Sequence, residues 1–75
     1  MNHSWVEFQS ATLVRAAYDD QLGLLRLQFH SGDHYTYSGV SPEVFRNLLD
    51  APSKGTFFHR HIRDLYAFVK AAGEN

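Results

Sequence analysis

The sequence predicts an α+β domain: a small antiparallel three-stranded meander, with room for a short N-terminal edge strand, followed by two helices packed on one face. Three observations predict it. "LLRLQFH", residues 24–30, alternates apolar and polar side chains with the period of a half-buried strand. Turn-forming clusters, "DDQLG" and "SGD", separate it from the segments on either side. After Ser41-Pro42 the apolar spacing changes from two to three and four.

"TLVRAAY", 12–18, mixes β-branched, small and aromatic residues and supplies the first strand. Asp19 and Asp20 favour the turn that follows. In the second strand Leu25, Leu27 and Phe29 share one face, and Arg26, Gln28 and His30 the other. Gly32 suits a tight turn that needs a positive φ. "HYTYS", 34–38, is the third strand. "SWVEFQS", near the N-terminus, is the candidate edge strand.

The first helix has its start written in the sequence. Ser41 is the N-cap, Pro42 takes the first helical position and Glu43 lies in the first turn. Val44, Phe45, Leu48 and Leu49 form its apolar stripe. Pro52 disfavours helical backbone at Ala51 and ends it. "TFFHRHIRDLYAFVKAA", 56–72, is expected to be a second helix, with Phe58, Ile62, Leu65 and Val69 three or four apart and Gly73 as its stop. The tail 73–75 is expected to fray.

At 75 residues the chain makes one domain, 1–75. So small a domain needs a dense core or a staple. It has no cysteine, so the core must serve, and six Phe, four Tyr and one Trp supply it. The lack of cysteine fits a reducing compartment. No apolar run approaches the roughly 20 residues of a membrane span. The start, "MNHSWVEFQS", has no basic and apolar leader pattern. A soluble, cytoplasmic protein is expected.

Catalysis is not. No nucleophile elbow, phosphate loop or acid/base pair stands out, and so short a chain has little room for a deep pocket. Five histidines raise the question of metal. His59 and His61 would lie about 200° apart around a helix, and no cysteine or carboxylate set completes a zinc spacing. Neither a metal nor a cofactor is expected.

Charge is more informative. The net charge is -1. Residues 1–53 carry three arginines against six carboxylates, whereas residues 54–70 carry Lys54, Arg60, Arg63 and Lys70 against Asp64. With His59, these four basic residues form a candidate nucleic-acid contact on the second helix. Ser53 and Gly55, flanking Lys54 at the helix start, form a candidate phosphate-binding turn. The alternative is a plain helix connection with a solvated basic face.

Tyr35 and Tyr37 sit two apart and point to one side of their strand. Facing the helices they are core; facing outward they could stack unpaired bases. Few other large apolar residues are available on that strand, so core is expected, on the face of Leu25, Leu27 and Phe29.

Over roughly residues 8–66 the chain resembles the KTSC domain family, named for its place at the C-terminus of some lysyl-tRNA synthetases and also found as small bacterial and phage proteins. The central mark is Tyr35-Thr36-Tyr37. Ser10, Tyr18-Asp19, "LRLQFHSGDHYTY" and "VSPEVFRNLLDAPSKGTFFHRHIRDLY" follow the family pattern. Phe45 and Phe57 stand where tyrosine is common, and His59 where asparagine is common. The resemblance implies no established role; it suggests RNA binding only through the family's association with a tRNA synthetase. Two functions are therefore expected: a non-enzymatic module for RNA or single-stranded nucleic acid, or a protein-interaction module docking on a larger bacterial or phage-targeted machine.

Overall fold

A computed structural model describes residues 4–71. Its sheet is larger than the predicted meander. Five antiparallel strands, β1 (Val6–Glu7), β2 (Leu13–Asp19), β3 (Leu24–Phe29), β4 (His34–Tyr37) and β5 (Phe68–Ala71), lie side by side in chain order. Helices α1 (Pro42–Asp50) and α2 (Lys54–His61) connect β4 to β5.

The three central strands are those read from the alternation, and "SWVEFQS" does contribute the edge strand β1. Register places Leu25 opposite Tyr37 and Leu27 opposite Tyr35, so these four share a face. Ala16 and Tyr18 join it from β2. A bulge between Leu13 and Arg15 shifts the start of β2, letting Leu13 still meet Phe29 on that face. Turn chemistry holds the register. Asp19 Oδ1 accepts from the amides of Gln21 and Leu22, and Gly32 takes the positive φ its turn requires.

Helix α1 begins as predicted. Ser41 caps the Val44 amide, Pro42 opens the first turn, and the helix stops with Ala51 as C-cap before Pro52. Leu48 is fully buried, and Val44 and Phe45 pack on the core. Ser53 caps α2 by accepting from the Thr56 amide.

The predicted second helix is corrected. It ends at His61, with Ile62 as C-cap, where the amides of Ile62 and Arg63 both reach the Phe58 carbonyl. Residues 68–71 then leave as a strand and pair with β4, Phe68 opposite Tyr37 and Lys70 opposite Tyr35. Of the proposed stripe, Phe58 and Ile62 are core, but Leu65 and Val69 are 65% and 71% exposed. Two forces decide this. "YAFVK" alternates with period two as well as it fits a helix, and the open edge of β4 offers a ladder of backbone partners. The tail 73–75 lies outside the described residues.

Both helices cover one face of the sheet. The core between them contains Leu13, Ala16, Leu25, Leu27, Tyr37, Val40, Leu48, Phe58 and Ile62. No buried side-chain nitrogen or oxygen among the described residues lacks a hydrogen-bond partner. No helix among them is long and apolar enough to cross a membrane.

Candidate binding cleft

Tyr35 and Tyr37 face the helices, as expected, but they also wall an opening. Tyr37 is 1% exposed, whereas Tyr35 is half-buried. Their rings stack at 6.0 Å. Phe68, brought in by β5, lies 5.4 Å from each. Phe58 from α2 meets Tyr37 edge-on at 5.8 Å, and Phe29 meets both Phe58 and Tyr35. These five rings line a cleft of about 470 Å³ between the β4–β5 end of the sheet and the turn after α2.

Its remaining lining is polar. Ser31 and Asp33 come from the β3–β4 turn, Arg63 and Asp64 from the turn after α2. Lys70 stands beside the cleft. Its ammonium is 3.4 Å from the Asp33 carboxylate and 5.9 Å from the centre of the Tyr35 ring. Burial, assisted by Tyr35, pushes the Tyr37 phenol up to about 12, with Arg63 lowering it and Asp64 raising it. Tyr37 therefore presents a neutral phenol to the cleft at physiological pH.

The basic residues predicted as one patch are dispersed. Arg63 and His59 are together, with Arg63 Nη1 3.3 Å from His59 Nδ1. His59 lies against Phe58. Arg60 lines a separate groove of about 240 Å³ with Ser53, Thr56, Phe57 and His61. Lys70 is on β5 and not on a helix. Lys54 turns away, and its ammonium donates to the carbonyls of Leu49 and Ala51, closing the end of α1.

The candidate phosphate turn has structural duties throughout. The Ser53 hydroxyl accepts from the Thr56 amide and donates to its hydroxyl. Gly55 is buried where α2 crosses the start of β2, and a Cβ there would lie 2.8 Å from Thr12 Oγ1. Its lack of a side chain permits close approach of helix and strand and supplies no unusual turn. No group of three or more histidines and carboxylates among the described residues could hold a metal ion.

Phe29, Ser31, Asp33, Asp64 and Phe68 were not singled out from the sequence as site residues. For Phe68 a signal existed: it shares a period-two phase with Tyr66 and Lys70. For the others, only the convergence of two turns brings them together.

The KTSC domain family model matches residues 9–66. The chain belongs to the KTSC domain family. The crystal structure of a KTSC domain protein from Yersinia pestis superposes with a TM-score of 0.90 at 27% identity, covering 95% of this chain and all of that one. An uncharacterised protein from Stutzerimonas stutzeri is 40% identical over 55 residues, 73% of this chain and 78% of its own length. A lysine–tRNA ligase from Nostoc punctiforme is 32% identical over 60 residues, 80% of this chain but 11% of the ligase.

Several residues that carry the KTSC pattern have visible structural tasks. Ser10 Oγ accepts from the amides of Thr12 and Leu13 at the entrance to β2. The Tyr18 hydroxyl donates to the Val40 carbonyl, and its ring stacks on Phe45 at 5.1 Å. Asp19 holds the β2–β3 turn. Tyr37 is both buried in the core and part of the cleft wall. The family match ends before Phe68 and Lys70, so one wall of the cleft lies outside it.

Proposed function

We propose that this KTSC domain is a non-enzymatic binding module for unpaired nucleic acid, contacted at the aromatic cleft and the exposed face of α2. The observation that carries this reading is the position of Arg63. It lines the cleft beside Tyr37, Phe58 and Phe68 and also touches His59 on α2. A base can enter among the rings while its phosphate meets the guanidinium, the combination that single-strand binders use. Arg60, exposed on α2 and lining a groove of its own, offers a further phosphate contact. Asp64 offers an acceptor to a base amino group. Lys54, Ser53 and Gly55 are left out of the contact because their groups hold α1, α2 and β2 together. Lys70, paired with Asp33, stands beside the cleft. The similarity to part of a lysine–tRNA ligase supports an RNA ligand by association.

The test is anisotropy of a labelled single-stranded RNA at low salt. Wild type is expected to bind and to weaken steeply as salt rises, because phosphate contacts release counterions. Arg60→Glu with Arg63→Glu should lose that binding while melting normally, since both are exposed and each change should alter stability by about 0.5 kcal/mol or less. Equal binding by a folded double variant removes this surface from the proposal.

A second reading has its own observation. β5 is an edge strand whose four residues are all exposed. Edge strands of this kind can accept a strand from a protein partner. Absence of any nucleic-acid affinity at low salt would make protein docking the leading function.

A further inference from the structure

We propose that the aromatic cleft is selective for guanine, with the Asp64 carboxylate accepting from the adjacent donors of the base and the Tyr37 hydroxyl donating to its carbonyl oxygen. The inference rests on the nucleic-acid reading of the cleft and names the base it takes.

Charge does not choose among bases here. The cleft and its rim balance Asp33 and Asp64 against Arg63 and Lys70. The choice falls to hydrogen-bonding groups that the protein itself leaves unmatched. Asp33 is engaged by the Lys70 ammonium at 3.4 Å. Asp64 lines the same cleft and has no hydrogen bond or ion pair among the described residues. Tyr37 is 1% exposed, yet its hydroxyl also has no hydrogen-bond partner among them. It is not a fully enclosed polar atom, since each of those has a partner. The sliver of Tyr37 that stays exposed therefore includes the hydroxyl, at the cleft the residue lines. A buried ring with an unmatched hydroxyl at its tip is a donor held ready for a ligand.

The two groups act on one another. Burial does most to raise the Tyr37 phenol, but Arg63 and Asp64 also shift it, with opposite signs, so both charges lie within electrostatic reach of that oxygen. The phenol keeps its proton at neutral pH and is a donor. The turn that carries Asp64 is anchored: the Leu65 amide donates to the Ile62 carbonyl, and Ile62 is fully buried.

Guanine presents a carbonyl oxygen, a ring N–H and an amino group in order along one edge. A carboxylate accepts from the last two at once, in a charge-assisted bidentate pair. The phenol donates to the first. Adenine and cytosine have an amino group but no N–H beside it, so they give Asp64 a single bond. Uracil carries its one N–H between two carbonyls, which the carboxylate repels. The rings stack any base, and Asp64 with Tyr37 makes the choice.

The experiment is anisotropy at low salt with a labelled oligouridine carrying one central guanosine, beside the same oligomer with uridine, adenosine or inosine there. The guanosine oligomer should bind about tenfold or more tighter than all-uridine, the worth of a good bidentate pair. Adenosine should fall between them. Inosine, which lacks the amino group, should lose much of the gain. Asp64→Asn should abolish the guanosine preference yet hold oligouridine as well as wild type or better, since it removes a negative charge. Asp64 is exposed, so the variant should melt near wild type. GMP should compete more weakly than the oligomer; equal competition transfers the site to a free nucleotide and overturns the strand as its source. Equal weakening of both oligomers by Asp64→Asn marks a structural role and overturns the assignment. Equal wild-type binding of guanosine and uridine oligomers, or a guanosine preference that survives Asp64→Asn, overturns the selectivity and leaves the nucleic-acid reading standing. No binding of any oligomer overturns both.

Discussion

Tyr37→Ala is expected to destabilise the domain by about 3 kcal/mol or more, the range for truncating a large buried aromatic. The ring is 1% exposed and contacts Tyr35, Phe58 and Phe68. Its removal leaves a cavity where β4, β5 and α2 meet. Tyr35→Ala should cost less, because Tyr35 is only half-buried. Denaturant melts of both variants decide the matter, and a fully stable Tyr37→Ala would place the ring outside the core. Alkaline pH provides a second signature. The unfolded phenol ionises near pH 10, whereas the folded one keeps its proton to about 12. The stabilisation is complete below pH 10. It is then lost as pH rises towards 12, at up to about 1.4 kcal/mol per pH unit. Tyr18, also raised by burial and by Asp20 and Asp19, contributes with the same sign. Tyr37→Phe should flatten this limb of the stability profile, and an unchanged slope would show that Tyr37 is not its source.

Gly55→Val is expected to cost about 2–3 kcal/mol, through overpacking where α2 crosses β2. A Cβ at 55 would stand 2.8 Å from Thr12 Oγ1, closer than real Cβ atoms come, and 3.2 Å from Thr12 Cβ, a tight contact. The branches of valine add to the clash. Gly55→Ala should lose less, because alanine regains about 1 kcal/mol of helix propensity over glycine. Thr12→Ala removes the nearest atom, so it should recover part of the loss in the double variant. The coupling is measured by a double-mutant cycle of melting curves. If Thr12→Ala leaves the cost of Gly55→Ala unchanged, the close approach is not its cause.

How far residues spoke for themselves varies along the chain. β2 to β4 and α1 were legible because their signals are local. Alternation along "LLRLQF", Asp19 and Gly32 in turns, and Ser41-Pro42 ahead of an apolar stripe each constrain the backbone within a few residues. Residues 62–71 were not legible, because "IRDLYAFVK" satisfies helical and strand periods alike. What selects the strand is the unpaired edge of β4 and the two tyrosines that Phe68 covers, both distant in sequence. That choice moves Lys70 off the helix and creates the cleft.

By itself the sequence determined an α+β domain and the shared face of Tyr35 and Tyr37, which follow from short-range periodicity and turn chemistry; the KTSC resemblance rests instead on the identity and order of particular residues. Only the tertiary structure decided where charge resides. Lys54 is taken up by the carbonyls of Leu49 and Ala51, Lys70 by Asp33, and Arg63 is separated from Arg60 by the end of α2. Arg15 and Arg26 stand on the sheet face away from the helices, where Glu7 pairs with Arg15 and Asp19 follows two residues after Ala17. A sum along the chain weighs charges by sequence position, but their fields act through space and fall off with distance, so the pairing of strands sets the potential a ligand meets.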